Sequence, residues 1–417
     1  MVTARIYQII HDLIKDPQSL INYIENYLLF IMNIPFISKE FNDNIIRLIV
    51  QDENGSAELS INHIMSVKGR GKTKNSLKAL ILRYLGTDGV RRITVMILKK
   101  DNTIYRIDDL PKMRSLPLGL LSLALILVIA MSLVITTLRI IDIIPPIHLM
   151  IALLLVPLLI PIAYSYILQL RIRQWNLRGS QIVKFVFEYS DFSEEKFNNA
   201  LRFLSKIDGI KSLNEVRKFI LSLINNPTTA PNSYHEEVID IDSMMSELGI
   251  SSHRIYLVNL DQCNAASVGI PGLNYIILTS RLVSCLNKDE LMAVIAHEIG
   301  HIVHGDSAKT LFLVSLSQLI NIALIIYIVP IMTLPVIPLI ISVIILELLA
   351  IMFMMRLSEY SADKYALRLV PNRVLVMALL RVTWRELYNE LVSRRLRIFD
   401  VHPTVSSRLL RMSSIFH

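Results

Sequence analysis

The apolar residues of the chain gather into long runs that contain no Asp, Glu, Lys or Arg, and the charged residues fall in the segments between them. The first run, 116–138, is 23 residues long. At about 1.5 Å of rise per residue, a helix of that length reaches ~35 Å, enough to cross a hydrocarbon layer of roughly 30 Å. The second run, 143–170, opens on Pro145 and Pro146, which suits a turn before a helix near 147–170. The third, from Thr310 to Leu346, has 37 residues with Pro330, Pro335 and Pro338 in its second half. As one helix it would reach ~55 Å, too long for a comfortable span. Two helices, 311–329 and 336–355, joined by a tight apolar turn are expected instead. Runs this long and apolar are rare inside soluble domains, so the pattern predicts four membrane-spanning helices rather than four buried ones.

Orientation follows from the flanking positive charges. Lys112 and Arg114 precede the first run, Arg171, Arg173 and Arg178 follow the second, and Lys309 and Arg356 bracket the second hairpin. The opposite turns hold only Arg139, balanced by Asp142, and no charge in 329–338. The positive-inside rule then places both termini and every large segment in the cytoplasm. The first apolar stretch, near 21–37, is short and broken by Glu25 and several Asn, so no cleavable signal peptide is expected. Glu347 lies inside the fourth expected span, 336–355, and is costly to expose to lipid, which predicts that it faces the bundle interior. His148, near the far turn, reads as interfacial.

The segments between the runs set the domain plan. Residues 1–110 form an amino-terminal α+β appendage, 111–170 the first hairpin, 171–235 a helical connection ending in the linker Asn225–Asn232, 236–309 and 357–417 two halves of a second soluble domain, and 310–356 the second hairpin between them. Within the appendage, 76–85 reads as a helix stopping at Gly86, and the β-rich runs 92–98 and 103–107 around Lys100 read as a hairpin. Helix, hairpin and the basic run Lys68–Lys74 are compatible with a winged-helix-like module. A small α+β domain with a solvated basic loop is the favoured reading. Gly71-Lys72-Thr73 is not a phosphate-binding loop, because the leading glycine of that motif falls on Ser66.

Composition sharpens this plan. Hydrophobic residues make up 53% and charged residues 19% of the 417 positions, against a usual charged share of about 25%. This excludes a wholly soluble chain and a disordered one. Two cysteines, Cys263 and Cys285, exclude a disulfide scaffold. They sit on apolar runs without metal-ligand spacing and read as structural. The net charge of +8 fits either anionic lipid or nucleic acid, and the basic run is the only support for the latter.

The chemistry is concentrated in Asn287–His301. Asn287 with Glu290 three residues on is a capping-box pattern. His297 and His301 are four apart, about 40° around a helix, so both imidazoles point to one side and can reach one tetrahedral zinc. Glu298 follows the first of them, in position to act as general base on the attacking water. This is the H-E-x-x-H arrangement of zinc peptidases. A catalytic zinc needs a third protein ligand. His304 lies seven residues, about 10 Å, from His297 along the axis, too far to share the metal. Glu359 is the better candidate, because the second hairpin leaves from the histidine helix and returns directly before it. Asp363, one turn on, is placed to take the second N–H of a ligand histidine.

His297-Glu298-Ile299-Gly300-His301, then Gly305-Asp306, a membrane hairpin and Glu359-Tyr360-Ser361-Ala362-Asp363 together resemble the HtpX-like membrane zinc metallopeptidases, of gluzincin type and related to the CAAX-processing membrane proteases. Asn264-Ala265-Ala266-Ser267 resembles that family's strand before the zinc helix, and Asp400-Val401-His402-Pro403-Thr404 with Arg408 its carboxy-terminal His-Pro segment. The resemblance covers about 236–417 plus the first hairpin. It implies a mainly α protein with small β elements, an integral membrane protein with four spans and a cytoplasmic zincin-type peptidase domain. It also implies one Zn²⁺ per chain, with polypeptide substrates, membrane or misfolded, as partners beside the bilayer. His297, His301 and Glu359 are the expected ligands and Glu298 the base. His402 is the expected oxyanion donor, Arg408 a candidate to orient that segment or the substrate, and Asn264, Ala265 and Ala266 substrate-strand candidates. If the run at 264–268 is an edge strand, it could take an extended peptide by β-addition. The rival reading is a membrane sensor or signal transducer whose amino-terminal domain binds nucleic acid or a regulator.

Overall fold

The computed structural model describes residues 2–113, 147–327, 336–392 and 402–413, apart from short breaks within these ranges. The expected first span at 116–138, Arg139, Asp142 and the turn between the third and fourth apolar runs lie outside the described residues. Among the described residues helices predominate, with three sheets between them.

At the amino terminus, helices α1 (Val2–Leu13) and α2 (Pro17–Phe30) precede an antiparallel meander. Its strands are β1 (Phe36–Asn42), β2 (Ile45–Asp52), β3 (Gly55–Ile61) and β4 (Met65–Gly69). Along β3 the buried Ala57, Leu59 and Ile61 alternate with more accessible Ser56, Glu58 and Ser60. That period of two turns one face of the sheet toward helix α3 (Gly71–Thr87). Leu77, Leu80, Ile81 and Leu85 of α3 are buried there. The helix begins earlier than the sequence pattern suggests. Lys68 belongs to β4, and Lys72 and Lys74 to the first turn of α3, so the basic run is not a loop.

The expected hairpin forms from β5 (Val90–Lys100) and β6 (Thr103–Arg106). It is not a wing on α3. The other edge of β5 pairs along its whole length with β7 (Ser180–Ser190), and β7 pairs with β8 (Ser233–Asp240). The segment 171–235, expected to be helical, therefore supplies a central strand. Its sequence explains this: Val183, Phe185, Phe187 and Tyr189 bury one face against α5 (Glu194–Leu204) and α6 (Leu213–Ile224), while Ile182, Lys184 and Val186 are buried on the other. A strand covered on both faces lacks the polar alternation that marks a surface strand.

The second soluble region holds α7 (Ile241–Glu247) and a three-stranded sheet in the order β10-β11-β9. β10 (Ala265–Ile270) and β11 (Leu273–Thr279) form a hairpin, and β11 runs parallel to β9 (Arg254–Val258). Helices α8 (Ser280–Cys285) and α9 (Lys288–Val303) follow. Three apolar helices pack in series: α4 (Ile147–Ile172) on α10 (Asp306–Tyr327), and α10 on α11 (Val336–Ala366). Among the described residues the stretch Ile341–Ala366 is long and apolar enough to cross a membrane. Large side chains such as Ile167, Phe312 and Leu346 are left exposed on these helices. Glu347 of α11 accepts hydrogen bonds from Ser317 (2.6 Å) and Asn321 (3.0 Å) of α10, so its carboxylate does turn to the neighbouring helix. Helices α12 (Asn372–Val392), bent at Thr383, and α13 (Val405–Ser413) close the domain.

Candidate metal centre

The histidine-bearing helix α9 is fixed first at its beginning. Asn287 accepts from the Glu290 N–H at 2.9 Å and its own N–H donates to the Glu290 carboxylate at 3.1 Å, the reciprocal cap foreseen from the spacing. Three other elements add charges the sequence did not reveal. The Lys288 N–H donates to Glu237 of β8 at 2.7 Å. Lys184 of β7, 2% exposed, donates to Glu237 (2.7 Å) and to the Leu286 carbonyl (2.6 Å). Arg381 of α12 lies 2.8 Å from Glu290. Burial lowers the pKa of Lys184, while Glu237 acts in the opposite direction.

Two glycines let neighbouring elements close on α9. A Cβ on Gly300 would meet the Ala362 Cα of α11 at 2.9 Å, and one on Gly269 of β10 would meet the Ile302 Cα at 2.9 Å. Any side chain at either place would push α11 or the strand away from the histidines. The approach brings Glu359, on the same unbroken helix as the fourth apolar run, beside both imidazoles. The Nε2 atoms of His297 and His301 are 3.2 Å apart. Glu359 Oε2 is 3.6 Å from His297 Nε2, and Glu359 Oε1 is 3.9 Å from His301 Nε2. Ligand atoms at about 2.0–2.1 Å from a tetrahedral zinc are separated by ~3.3 Å. Two imidazole nitrogens and one carboxylate with these separations fit such an ion and leave its fourth position open.

The outer edges of both rings are held by carboxylates. His297 Nδ1 lies 3.0 Å from Asp363, the partner expected from the sequence. His301 Nδ1 lies 2.9 Å from Asp306, a role the sequence reading did not assign. Gly305, with φ of +64°, turns the chain out of α9 so that Asp306 can come back to that ring. With its Nδ1 facing a carboxylate, each ring, once neutral, can turn the lone pair of its Nε2 to the centre. Burial opposes a charge on His297, but Asp363 and Glu359 outweigh it and raise the ring's pKa to about 10.

Arg408 of α13 is aimed at these carboxylates. Its Nε and Nη2 donate to the two oxygens of Asp363 (2.9 and 2.6 Å), and its Nη1 is 3.3 Å from Glu359. Burial works against the Arg408 charge, but Asp363 and Glu359 hold it in place, and its pKa is raised. Helix α13 is itself set by Glu390, which accepts from the Val405 and Ser406 N–H groups (2.7 and 2.9 Å). His402 Nδ1 lies 2.9 Å from Glu359 Oε1, and its side chain is 72% exposed. That hydrogen bond raises the His402 pKa. Glu298 is buried beside His297, with no hydrogen bond or ion pair of its carboxylate among the described residues. His304 ends α9 with its ring edge-on to Tyr365, apart from the cluster. Asn264 is exposed and Ala265 and Ala266 are half-buried at the start of β10, an edge strand among the described residues.

Comparison with known proteins assigns a family to the part of the chain that holds this cluster. Residues 233–415 match the model of peptidase family M48. A protease HtpX homolog of Acidiphilium cryptum is 38% identical over 71 residues, 17% of this chain and 25% of the relative. One of Thermoplasma volcanium is 37% identical over 79 residues, 19% of this chain and 26% of the relative, and one of Helicobacter acinonychis is 42% identical over 67 residues, 16% and 22%. Each match thus spans about a quarter of the relative's own length. A crystal structure of S. mikatae Ste24p is similar over 41% of this chain and 48% of that one, at 23% identity and a TM-score of 0.30, a likeness too slight to bear on the fold. The family match encloses both halves of the His/His/Glu cluster, and on that ground residues 233–415 form a peptidase family M48 domain, similar in part to the protease HtpX homologs.

Proposed function

We propose that the chain is a membrane-bound, zinc-dependent endopeptidase that hydrolyses peptide bonds in membrane or misfolded proteins. The observation that carries this reading is the convergence of His297 Nε2, His301 Nε2 and the Glu359 carboxylate, with each ring backed by its own aspartate. One Zn²⁺ held there would supply Lewis acidity, lowering the pKa of water and polarising a peptide carbonyl. Glu298 takes the proton of the attacking water and returns it to the leaving amine. Its freedom from hydrogen bonds among the described residues suits that task. His402, its pKa raised by the hydrogen bond to Glu359 and its side chain exposed, donates to the oxyanion that develops on the carbonyl. Arg408 positions Asp363 and Glu359 rather than the substrate. An extended chain docks along the open edge of β10, which Gly269 brings against the residue after His301.

The site belongs just above the cytoplasmic membrane surface, with both termini on that side and four spans, because the positive residues gather there. Helix α11 supports this placement, since one continuous helix carries the apolar run and then Glu359 and Asp363. The test is Glu298→Gln in the full-length protein. Zinc content, fold and membrane insertion should persist while cleavage falls by several orders of magnitude, scored by proteomics of cleaved membrane proteins against wild type. Near-normal cleavage by that variant would overturn the mechanism.

A further inference from the structure

We propose that Cys263 and Cys285 are a reversible disulfide site that locks the entry of the edge strand β10 to the amino-terminal side of helix α9. The two Sγ atoms are 2.7 Å apart, and both residues are half-buried. A disulfide needs about 2.05 Å, so small side-chain rotations suffice to form it. The flanking backbone already holds the pair in place. Thr279, fully buried at the end of β11, donates its hydroxyl toward the Gln262 and Asn264 carbonyls on either side of Cys263 (2.5 and 2.9 Å). Cys285 is the last residue of α8, two positions before the Asn287 cap of α9. Neither sulfur belongs to the His297 cluster, so this site is independent of the metal centre and of the proposed function.

The surroundings assign the order of events. Cys285 is the more acidic thiol: it accepts a hydrogen bond from Cys263, and Arg281 and Lys184 add positive charge, against the effect of burial. A thiolate, not a thiol, attacks a disulfide. The Cys285 thiolate attacks one sulfur of a small-molecule disulfide, forming a mixed disulfide and expelling the first small thiolate, which takes up a proton. Cys263 then gives up its proton and attacks Cys285 Sγ, expelling the second small thiol. The two protein thiols lose two electrons together and one small disulfide becomes two thiols. The new bond closes a loop that contains β10, β11 and α8. It therefore removes conformations mainly from the unfolded chain and pins the strand hairpin to the start of the metal-binding helix.

The test uses the purified full-length protein in detergent, equilibrated with glutathione from fully reduced to fully oxidised, then acid-quenched, alkylated and mapped by mass spectrometry. Both thiols should disappear together, a cross-linked peptide joining residues 263 and 285 should appear, and dithiothreitol should restore both. The thermal midpoint of the wild type should rise by several degrees on oxidation and fall back on reduction. It should not move in Cys263→Ser or Cys285→Ser. Two free thiols in folded protein at full oxidation, or separate glutathione adducts without the cross-link, would overturn the site. A cross-link that leaves the midpoint unmoved would overturn the locking role.

Discussion

Zinc uptake by this site should depend steeply on pH well above neutrality, and the reason is His297. In metal-free protein its ring holds a proton with a pKa of about 10, because Asp363 and Glu359 outweigh burial. Only the neutral imidazole can donate to a metal, so binding must displace that proton. Each pH unit below the raised pKa then weakens apparent affinity about tenfold, or ~1.4 kcal/mol. Between about pH 10 and 7 the loss accumulates to roughly a thousandfold, ~4 kcal/mol. The assay is competition with a chromophoric chelator of known pH dependence, on full-length protein first stripped of metal. Calorimetry in two buffers of different ionisation enthalpy counts the protons, and about one per zinc should be released near pH 8. A flat affinity between about pH 7.5 and 9, with no proton released, would show that the ring titrates near its ordinary ~6.5 and would refute the reasoning. The sign for the metal-free fold is fixed by the same shift. A raised pKa contributes stability that is complete below about 6.5 and is lost as pH rises through about 10. The metal-free protein should therefore melt at progressively lower temperature across that interval.

Glu359→Ala should lose most of its zinc, since two protein ligands hold the ion far more weakly than three, whereas His304→Ala should keep it; metal analysis that finds the reverse would remove the assigned ligand set. In the same measurement Asp363→Asn and Asp306→Asn should each weaken binding by about 10–100-fold through the ring they orient. Lys184→Met leaves Glu237 and the Leu286 carbonyl without their buried donor and should cost roughly 3–5 kcal/mol, read as a lowered thermal midpoint; an unchanged midpoint would mean that this ion pair does not anchor α9. In a variant stripped of its own cysteines, a label at residue 332 should react from outside the cell and one at residue 228 only after permeabilisation. Reaction of 228 from outside would reverse the orientation.

Much of the site was legible in the chain itself because it is written locally. Helical periodicity alone puts His297 and His301 on one side and Glu298 beside them, and the Asn287–Glu290 cap marks where that helix starts. The charge-free run that returns before Glu359 makes it the third member, since a hairpin brings its two ends together. What the sequence could not reveal are partners that meet only when separate segments pack. Arg408 reaches Asp363 and Glu359 because Glu390 of α12 sets the start of α13, and Lys184 reaches the start of α9 from a strand that pairs β5 with β8. That strand was missed for a physical reason: with both faces buried, it shows no alternation to distinguish it from a helix. Asp306 stood in view beside Gly305, but only the positive φ of that glycine turns it back to the ring of His301. The identity and spacing of the chemical groups were thus set by short-range periodicity, while their orientation was decided by tertiary packing, which alone fixes how a buried charge finds its counter-charge.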